Sequence, residues 1–273
     1  MTTLRIGGVP EHFNLPIHLC MEEGLFAEAD IHVEWVDFPG GTGAMNAALR
    51  NDEIDLAVIL TEGIIKDIDN GNPSSIVQNY VSSPLIWGVH VAQKSDFKTI
   101  EDLENTRPAI SRYGSGSHTM AYIQAEQLGW DTSTIECIVV NNINTAVEAL
   151  TAGEADYFMW EHFTTKPLVD KKIFKRVSDF PTPWSSFVIA ATDKYKANNA
   201  TTINKFLEVL NRKTKDFKLL KGIEHLLSER YDQKLEDIKK WLSLTTWSQE
   251  QLPQEEINLV KKYLSKLKSI DKE

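Results

Sequence analysis

From its first residues the chain alternates short apolar runs with amphipathic stretches. Leu4-Arg5-Ile6-Gly7-Gly8-Val9 reads as a strand closed by a glycine pair. The following LPIHLCMEEGLF repeats Leu15, Leu19 and Leu25 near helical spacing, with Gly24 ending the helix. Ile31 to Phe38 alternates, which sets Ile31, Val33 and Trp35 on one face of a half-exposed strand. A glycine-rich loop, Pro39-Gly40-Gly41-Thr42-Gly43, then opens a helix over AMNAALRNDE. Asp55 to Leu60 is a continuous apolar strand of the buried parallel kind, and Thr61-Glu62-Gly63 leads into another helical run. The order β-α-β-α-β-α predicts a doubly wound α/β unit.

Two strand-like runs, SIVQNYV and LIWGVHVA, come next, split at Ser82-Ser83-Pro84. From about residue 100 the rhythm restarts. The helix TIEDLE precedes the strand RPAIS, and the helix MAYIQAEQLG precedes the strand ECIVV. The helix NTAVEALTAG then leads to the strand ADYFMW. The repetition extends to residue identities. AALRNDEIDLAVI at 47–59 aligns with EALTAGEADYFMW at 148–160, sharing Ala, Leu, Glu and Asp at one offset, 154 − 53 = 101. A helix end, a tight turn and a strand entry recur in that order, as two half-domains of duplicated topology require. Phe187 to Ala191 forms a late strand expected to return the chain to the first domain. From Thr201 on the pattern is helical with Lys and Glu faces, ending in a stripe of Ile257, Val260, Tyr263, Leu264 and Leu267.

Composition narrows the partners. The 273 residues are 42% hydrophobic and 25% charged, enough to bury a large core. The net charge of −10 argues against nucleic acid or an anionic membrane, and Lys261, Lys262, Lys266 and Lys268 read as a solvated helix face. Cys20 and Cys137 lie in apolar patterns without a second Cys or His at metal spacing, and are expected to be reduced core residues. Met-Thr-Thr enters the first strand with no apolar leader, so a cytoplasmic location is expected, or a periplasmic one if a leader has been removed. No run approaches the roughly 18–20 apolar residues that span a bilayer.

The stretch from Pro108 to Met120, PAISRYGSGSHTM, carries the densest candidate chemistry. Its glycines permit a tight turn and close approach of backbone to a ligand. The amides opening the next helix offer a site for an anionic or electron-rich group, and the hydroxyls of Ser111, Ser115 and Ser117 add donors. An ordinary strand-to-helix turn with Ser117 as N-cap is the competing reading. A dinucleotide fingerprint is excluded by Thr119, a P-loop by the missing Lys-Ser/Thr pair, and a nucleophile elbow by the missing G-x-S-x-G.

RIGGVPEHFNLP, FPGGTGAMNAALRNDEIDLAVI, SRYGSGSHTMA and EALTAGEADYFMWE together resemble the type 2 periplasmic binding proteins. Within these, the chain looks most like the branch of sulfonate-, nitrate- and thiamine-pyrimidine-binding proteins. The resemblance implies an α/β fold of two doubly wound lobes, residues 1–86 plus 188–273 and residues 87–187, with C-terminal helices on the first. It further implies a ligand held between the lobes, by loops at the carboxyl ends of the sheet strands. Carried over by position, those loops place His12, Asn14, Gly41, Thr42, Thr61 and Glu62 in the site. They add Ser111, Arg112, Tyr113, Ser115, Ser117, His118, Trp160 and Glu161, with Trp184 near the return crossover.

Each of these residues has a plain structural alternative. Glu62 and Glu161 can accept from ligand N–H or cationic groups, pair with Arg112, or merely cap helices; as acid and base they would make the cleft catalytic. Arg112 can clamp a carboxylate, sulfonate or phosphate, or form a structural ion pair. Tyr113, Trp160, Phe163 and Trp184 can wall a ligand or fill a core. His12, His118 and His162 lack metal-ligand spacing, so ligand hydrogen bonding is expected and no metal or cofactor. The expected function is a monomeric, non-catalytic solute-binding protein closing over a sulfonate, carboxylate or pyrimidine-like molecule, with a membrane ABC transporter as possible partner and no nucleic acid. The alternative is an intracellular lyase or dehydratase on the same fold. The related yeast-type pyrimidine synthase carries a cysteine-rich iron motif that two cysteines cannot supply.

Overall fold

The computed structural model describes residues 1–270, with side chains through Lys266. The chain forms two compact units. Met1–Pro84 and Trp184–Leu259 make unit 1; Leu85–Pro183 and the chain from Val260 make unit 2. The last helix is thus divided, whereas the sequence reading assigned the whole C-terminal segment to the first lobe.

Unit 1 opens with β1 (Thr2–Gly8), α1 (Leu15–Glu22), α2 (Leu25–Glu28), β2 (Ile31–Asp37), α3 (Thr42–Arg50), β3 (Leu56–Leu60) and α4 (Thr61–Asp69). The long strand β4 (Ser74–Ala92) carries the chain into unit 2. There follow β5 (Pro108–Ile110), α5 (Gly116–Leu128), β6 (Ile138–Val139), α6 (Ile143–Ala152), β7 (Tyr157–Glu161) and α7 (Lys166–Asp170). A second long strand, β8 (Phe174–Thr192), returns to unit 1 and to α8 (Asp193–Asp216), α9 (Ile223–Arg230) and α10 (Leu235–Leu244). The last helix is α11 (Gln254–Ile270).

In unit 1, β1 lies parallel between β2 and β3, and β8 pairs antiparallel with β3, from Leu56 opposite Ala191 to Leu60 opposite Phe187. The central strand β3 is apolar on both faces because helices cover both, which is why its sequence shows no alternation. Leu15, Ile17, Phe26, Phe206 and Leu210 are buried side chains of the unit's helices, with Phe26 stacked on Phe206 at 4.9 Å. In unit 2, β4 pairs antiparallel with β7, and β5 lies parallel between β7 and β6. Its core joins Ala109, Val140, Ala146, Leu150, Phe158 and Phe174.

The duplicated segment is duplicated in geometry. Asp52 after α3 and Gly153 after α6 both take left-handed φ, 55° and 72°. The next amide bonds back to the same relative carbonyl at 2.9 Å in each turn, Glu53 to Ala48 and Glu154 to Ala149. Each turn is then strapped by an arginine of the neighbouring strand segment, Arg5 within β1 and Arg107 just before β5. Arg5 bonds both carboxylate oxygens of Asp55 through its guanidinium (3.1 and 2.7 Å), and Arg107 does the same with Asp156 (2.9 and 3.1 Å).

Several boundaries differ from the sequence reading. The run from Ser74 to Ala92 is one strand through Pro84, not two runs. Pro84 is exposed, so its missing N–H breaks no buried ladder. TIEDLE forms only a one-turn 3-10 helix at Glu101–Leu103. Cys20 is buried, but Cys137 is only partly so; both are free thiols. The side chains of Leu267 and Lys268 lie outside the described residues. No helix among the described residues is long and apolar enough to cross a membrane.

Candidate functional site

Because β1 and β3 run parallel, with Gly7 opposite Ala57, their carboxyl ends leave unit 1 on the same edge. Three helices begin there. Asn14 precedes α1, with its Nδ2 donating to the Val9 carbonyl at 2.8 Å. Gly41 precedes α3 at φ 68°, ψ −156°, a conformation essentially reserved for glycine. Thr42 therefore belongs to the first turn of α3, not to a loop. Thr61 and Glu62, also expected in a loop, form the first turn of α4, since the chain passes from strand to helix at Leu60. α3 and α4 meet closely: a Cβ on Gly63 would fall 2.2 Å from the Thr42 methyl carbon, and Asn46 Nδ2 donates to the Gly63 carbonyl at 3.2 Å.

Glu62 is the electrostatic centre of this edge. It is 2% exposed, and Trp184 Nε1 donates to its Oε2 at 2.9 Å. Burial raises its carboxyl from the ordinary 4.5 to about 7, against the opposing pull of its own backbone amide and Trp184. Its Oε1 has no hydrogen-bond partner, nor do Thr61 Oγ1, Asn14 Oδ1 and Asn46 Oδ1, all buried. His12 lies two residues before Asn14, in the one-turn helix His12–Asn14 between β1 and α1, and its Nε2 is buried without a hydrogen-bond partner. Its ring stacks on Trp241 at 4.1 Å, with Phe13 and Tyr231 alongside, and burial lowers its pKa to about 3. The ring packs among aromatic side chains of unit 1.

In unit 2 the edge at the end of β5 is built from hydroxyls. α5 starts at Gly116, four residues before the sequence reading placed it, and its N-cap is Ser115, not Ser117: Ser115 Oγ accepts from the His118 amide at 3.3 Å. Ser117 Oγ accepts from the Ser111 amide at 2.9 Å and lies 3.1 Å from Ser115 Oγ and 3.4 Å from Ser111 Oγ. The three hydroxyls thus brace the turn itself. Buried His118 holds it further, its Nδ1 accepting from the Gly114 amide at 3.1 Å, which sets the tautomer with the proton on Nε2. What the loop presents outward is the exposed Arg112 and Tyr113, the latter 65% exposed and edge-on to His118 at 5.4 Å. The first amides of α5 lack intrahelical acceptors and carry the positive end of its dipole.

Glu161 and Trp160 take their structural alternatives. Glu161 Oε2 accepts from the Thr164 amide (2.6 Å) and hydroxyl (2.8 Å), fixing the turn after β7, and burial raises its pKa. Trp160 stacks on Phe158 at 5.3 Å and packs on the core of unit 2. Sequence inspection missed two features. Asn46, buried on the apolar face of α3, was detectable as an amide among Met45, Ala48 and Leu49. The other is a polar network at the base of unit 2. Buried His90 lies 2.9 Å from Thr165 Oγ1 and 3.4 Å from Arg176 Nε, and Arg176 Nη2 donates to the His162 carbonyl at 2.8 Å. Asp179 closes it 2.7 Å from His162 Nδ1. Its members are scattered over 90 positions, beyond any local pattern. No His, Cys, Asp and Glu cluster among the described residues has metal-site geometry.

Comparison with known proteins agrees with this architecture. The sequence model of the Ca3427-like PBP family matches residues 87–180. No curated protein sequence matches the chain. Among solved structures, the Candida albicans CA3427 gene product, described as defining a new family with the generic periplasmic binding protein fold, is 28% identical with a TM-score of 0.91. The match covers 100% of this chain and 92% of that one. The alkanesulfonate-binding protein SsuA of Xanthomonas axonopodis pv. citri, bound to MOPS, is 16% identical with a TM-score of 0.82, covering 99% and 94%. The periplasmic aliphatic sulphonate binding protein SsuA of Escherichia coli is 19% identical with a TM-score of 0.77, covering 98% and 92%.

Proposed function

We propose that this chain, which has the type 2 periplasmic-binding-protein fold, is a non-catalytic solute-binding protein. Its ligand is a small polar molecule bound at the carboxyl ends of the sheet strands. The observation that carries this reading is the one on unit 1: three helix starts and a buried, half-bonded Glu62 gathered on a single sheet edge. A fold that needed only stability would have no use for a carboxyl held there against its desolvation cost. In unit 2, Arg112, Tyr113 and the start of α5 supply the complementary chemistry for an anionic or acceptor-rich group. Solute uptake through a membrane ABC transporter is the proposed setting.

Catalysis has weaker support. The two carboxyls suggested as acid and base differ in their surroundings: Glu161 is engaged in capping a turn, and Glu62 is hydrogen-bonded to an indole. A thermal-shift and calorimetric panel of sulfonates, carboxylates and amino-pyrimidines tests the reading. At least one class should bind and be recovered chemically unchanged, and R112A should weaken an anionic ligand by about 1.5–3 kcal/mol. Conversion of a bound compound would replace the binding protein with the enzyme. Unchanged affinity in R112A would remove Arg112 from the site.

A further inference from the structure

The hydrogen-bonding groups at the carboxyl edge of unit 1 are sorted by polarity. Three side-chain N–H donors there are spent within the unit. Asn14 Nδ2 is bound to the Val9 carbonyl, Asn46 Nδ2 to the Gly63 carbonyl and Trp184 Nε1 to Glu62 Oε2. Each of those bonds orients its side chain so that an acceptor is left over: Asn14 Oδ1, Asn46 Oδ1 and Glu62 Oε1. All three are buried and without a partner, and the Thr61 hydroxyl joins them in the same condition. A buried polar oxygen without a donor costs about 1–3 kcal/mol, so several of them on residues at one sheet edge are not a neutral by-product of packing.

The helix-start amides of this edge can take an acceptor, but an anion is the wrong occupant beside these side chains. It would bring more acceptors to Glu62 and to two amide oxygens whose own donors are already committed. A nitrogen with several N–H groups satisfies them, and a positive charge on it compensates the buried carboxylate. We infer that unit 1 binds the N–H-rich end of the ligand, an ammonium, amidinium or amino-heterocycle group, with Glu62 as its counter-charge. This rests on the binding-protein reading above and adds to it the chemical class of one end of the ligand. The residues that fix the class are Glu62, Asn14 and Asn46, and Trp184 acts as a positioning residue that presents the free oxygen of Glu62. The elevated proton affinity of Glu62 fits the same picture, since a carboxyl awaiting a cation in an apolar setting holds its proton until the cation arrives.

The test uses acetamidinium chloride, a four-heavy-atom cation with a fork of N–H donors, on the intact protein. With carboxyl-labelled glutamate, E62Q assigns the Glu62 carbon resonance by its disappearance. The wild-type resonance should move saturably at millimolar acetamidinium, a range set by the ligand's size, about 1 to 10 mM. Sodium acetate and sodium chloride at equal ionic strength should leave it in place. In a thermal-shift titration, E62Q should lose about tenfold or more in acetamidinium affinity. A resonance that does not respond up to about 100 mM, or that responds equally to sodium chloride, overturns the inference. That failure is separate from failure of the binding-protein reading. Ligands without N–H groups that bind unchanged while Glu62 stays silent would leave the reading standing and remove only this inference.

Discussion

Burial holds the Glu62 carboxyl at about 7, against 4.5 for an exposed glutamate, so ionisation is penalised in the folded protein and not in the unfolded chain. The contribution of this group is fully favourable below pH 4.5, where it is neutral in both states, and is lost as pH rises through 7. The difference amounts to about 3 kcal/mol. E62Q removes the ionisation. It should therefore stabilise the unliganded protein by up to about 3 kcal/mol at pH 9, relative to its effect at pH 5, in denaturant unfolding at the two pH values. An equal effect at both would mean that Glu62 ionises freely. At this scale the sequence was partly legible. A carboxylate directly after an apolar strand marked Glu62 as a candidate, but only packing separates it from Glu161, whose oxygen caps Thr164. His12 illustrates the limit, since position on a loop does not disclose a ring stacked on Trp241, 229 residues away.

The repeated helix–turn–strand segment was legible as an alignment at constant offset, and the structure gives its physical content. The left-handed turn residue, the amide returning to the alanine carbonyl and the arginine strap occur in both units. The two copies spend backbone energy differently, because Asp52 carries a side chain in the left-handed region and Gly153 does not. G153A should cost about 1–2 kcal/mol by adding that strain. D52A keeps a side chain in the left-handed region and removes the exposed ion pair with Lys194 and a charge near Arg5, so about 0–1 kcal/mol is expected in the same unfolding assay. Equal losses would contradict the strain argument. Helix starts were read too late at α3, α4 and α5, for a common reason. Thr, Gly and Ser in a first turn look like loop residues, and capping by Ser115 or the backbone of Gly41 is a property of dihedral angles, which composition does not specify.

At the scale of the whole molecule, each unit contains a buried histidine held neutral, His12 in unit 1 and His90 in unit 2, with burial lowering both to about 3. Their contribution is fully present above the unfolded value near 6.5 and is lost as pH falls toward 3. At pH 5 each should cost about 2 kcal/mol, so both units should weaken on acidification. H90Q and H12Q should each flatten that dependence when unfolding is followed from pH 7 to pH 5, and a slope unchanged in both would contradict the assignment. The order of elements made the α/β class readable from periodicity. The polar base of unit 2 was not, because His90, His162, Arg176 and Asp179 are assembled by strand pairing alone. The central claim is that the molecule retains a small solute without altering it. Native mass spectrometry of the purified protein, repeated after denaturation, tests this most directly. A bound small molecule carrying N–H groups, released intact and rebound by the refolded protein, is the predicted result. Release of a compound that the protein converts on re-addition would contradict the account.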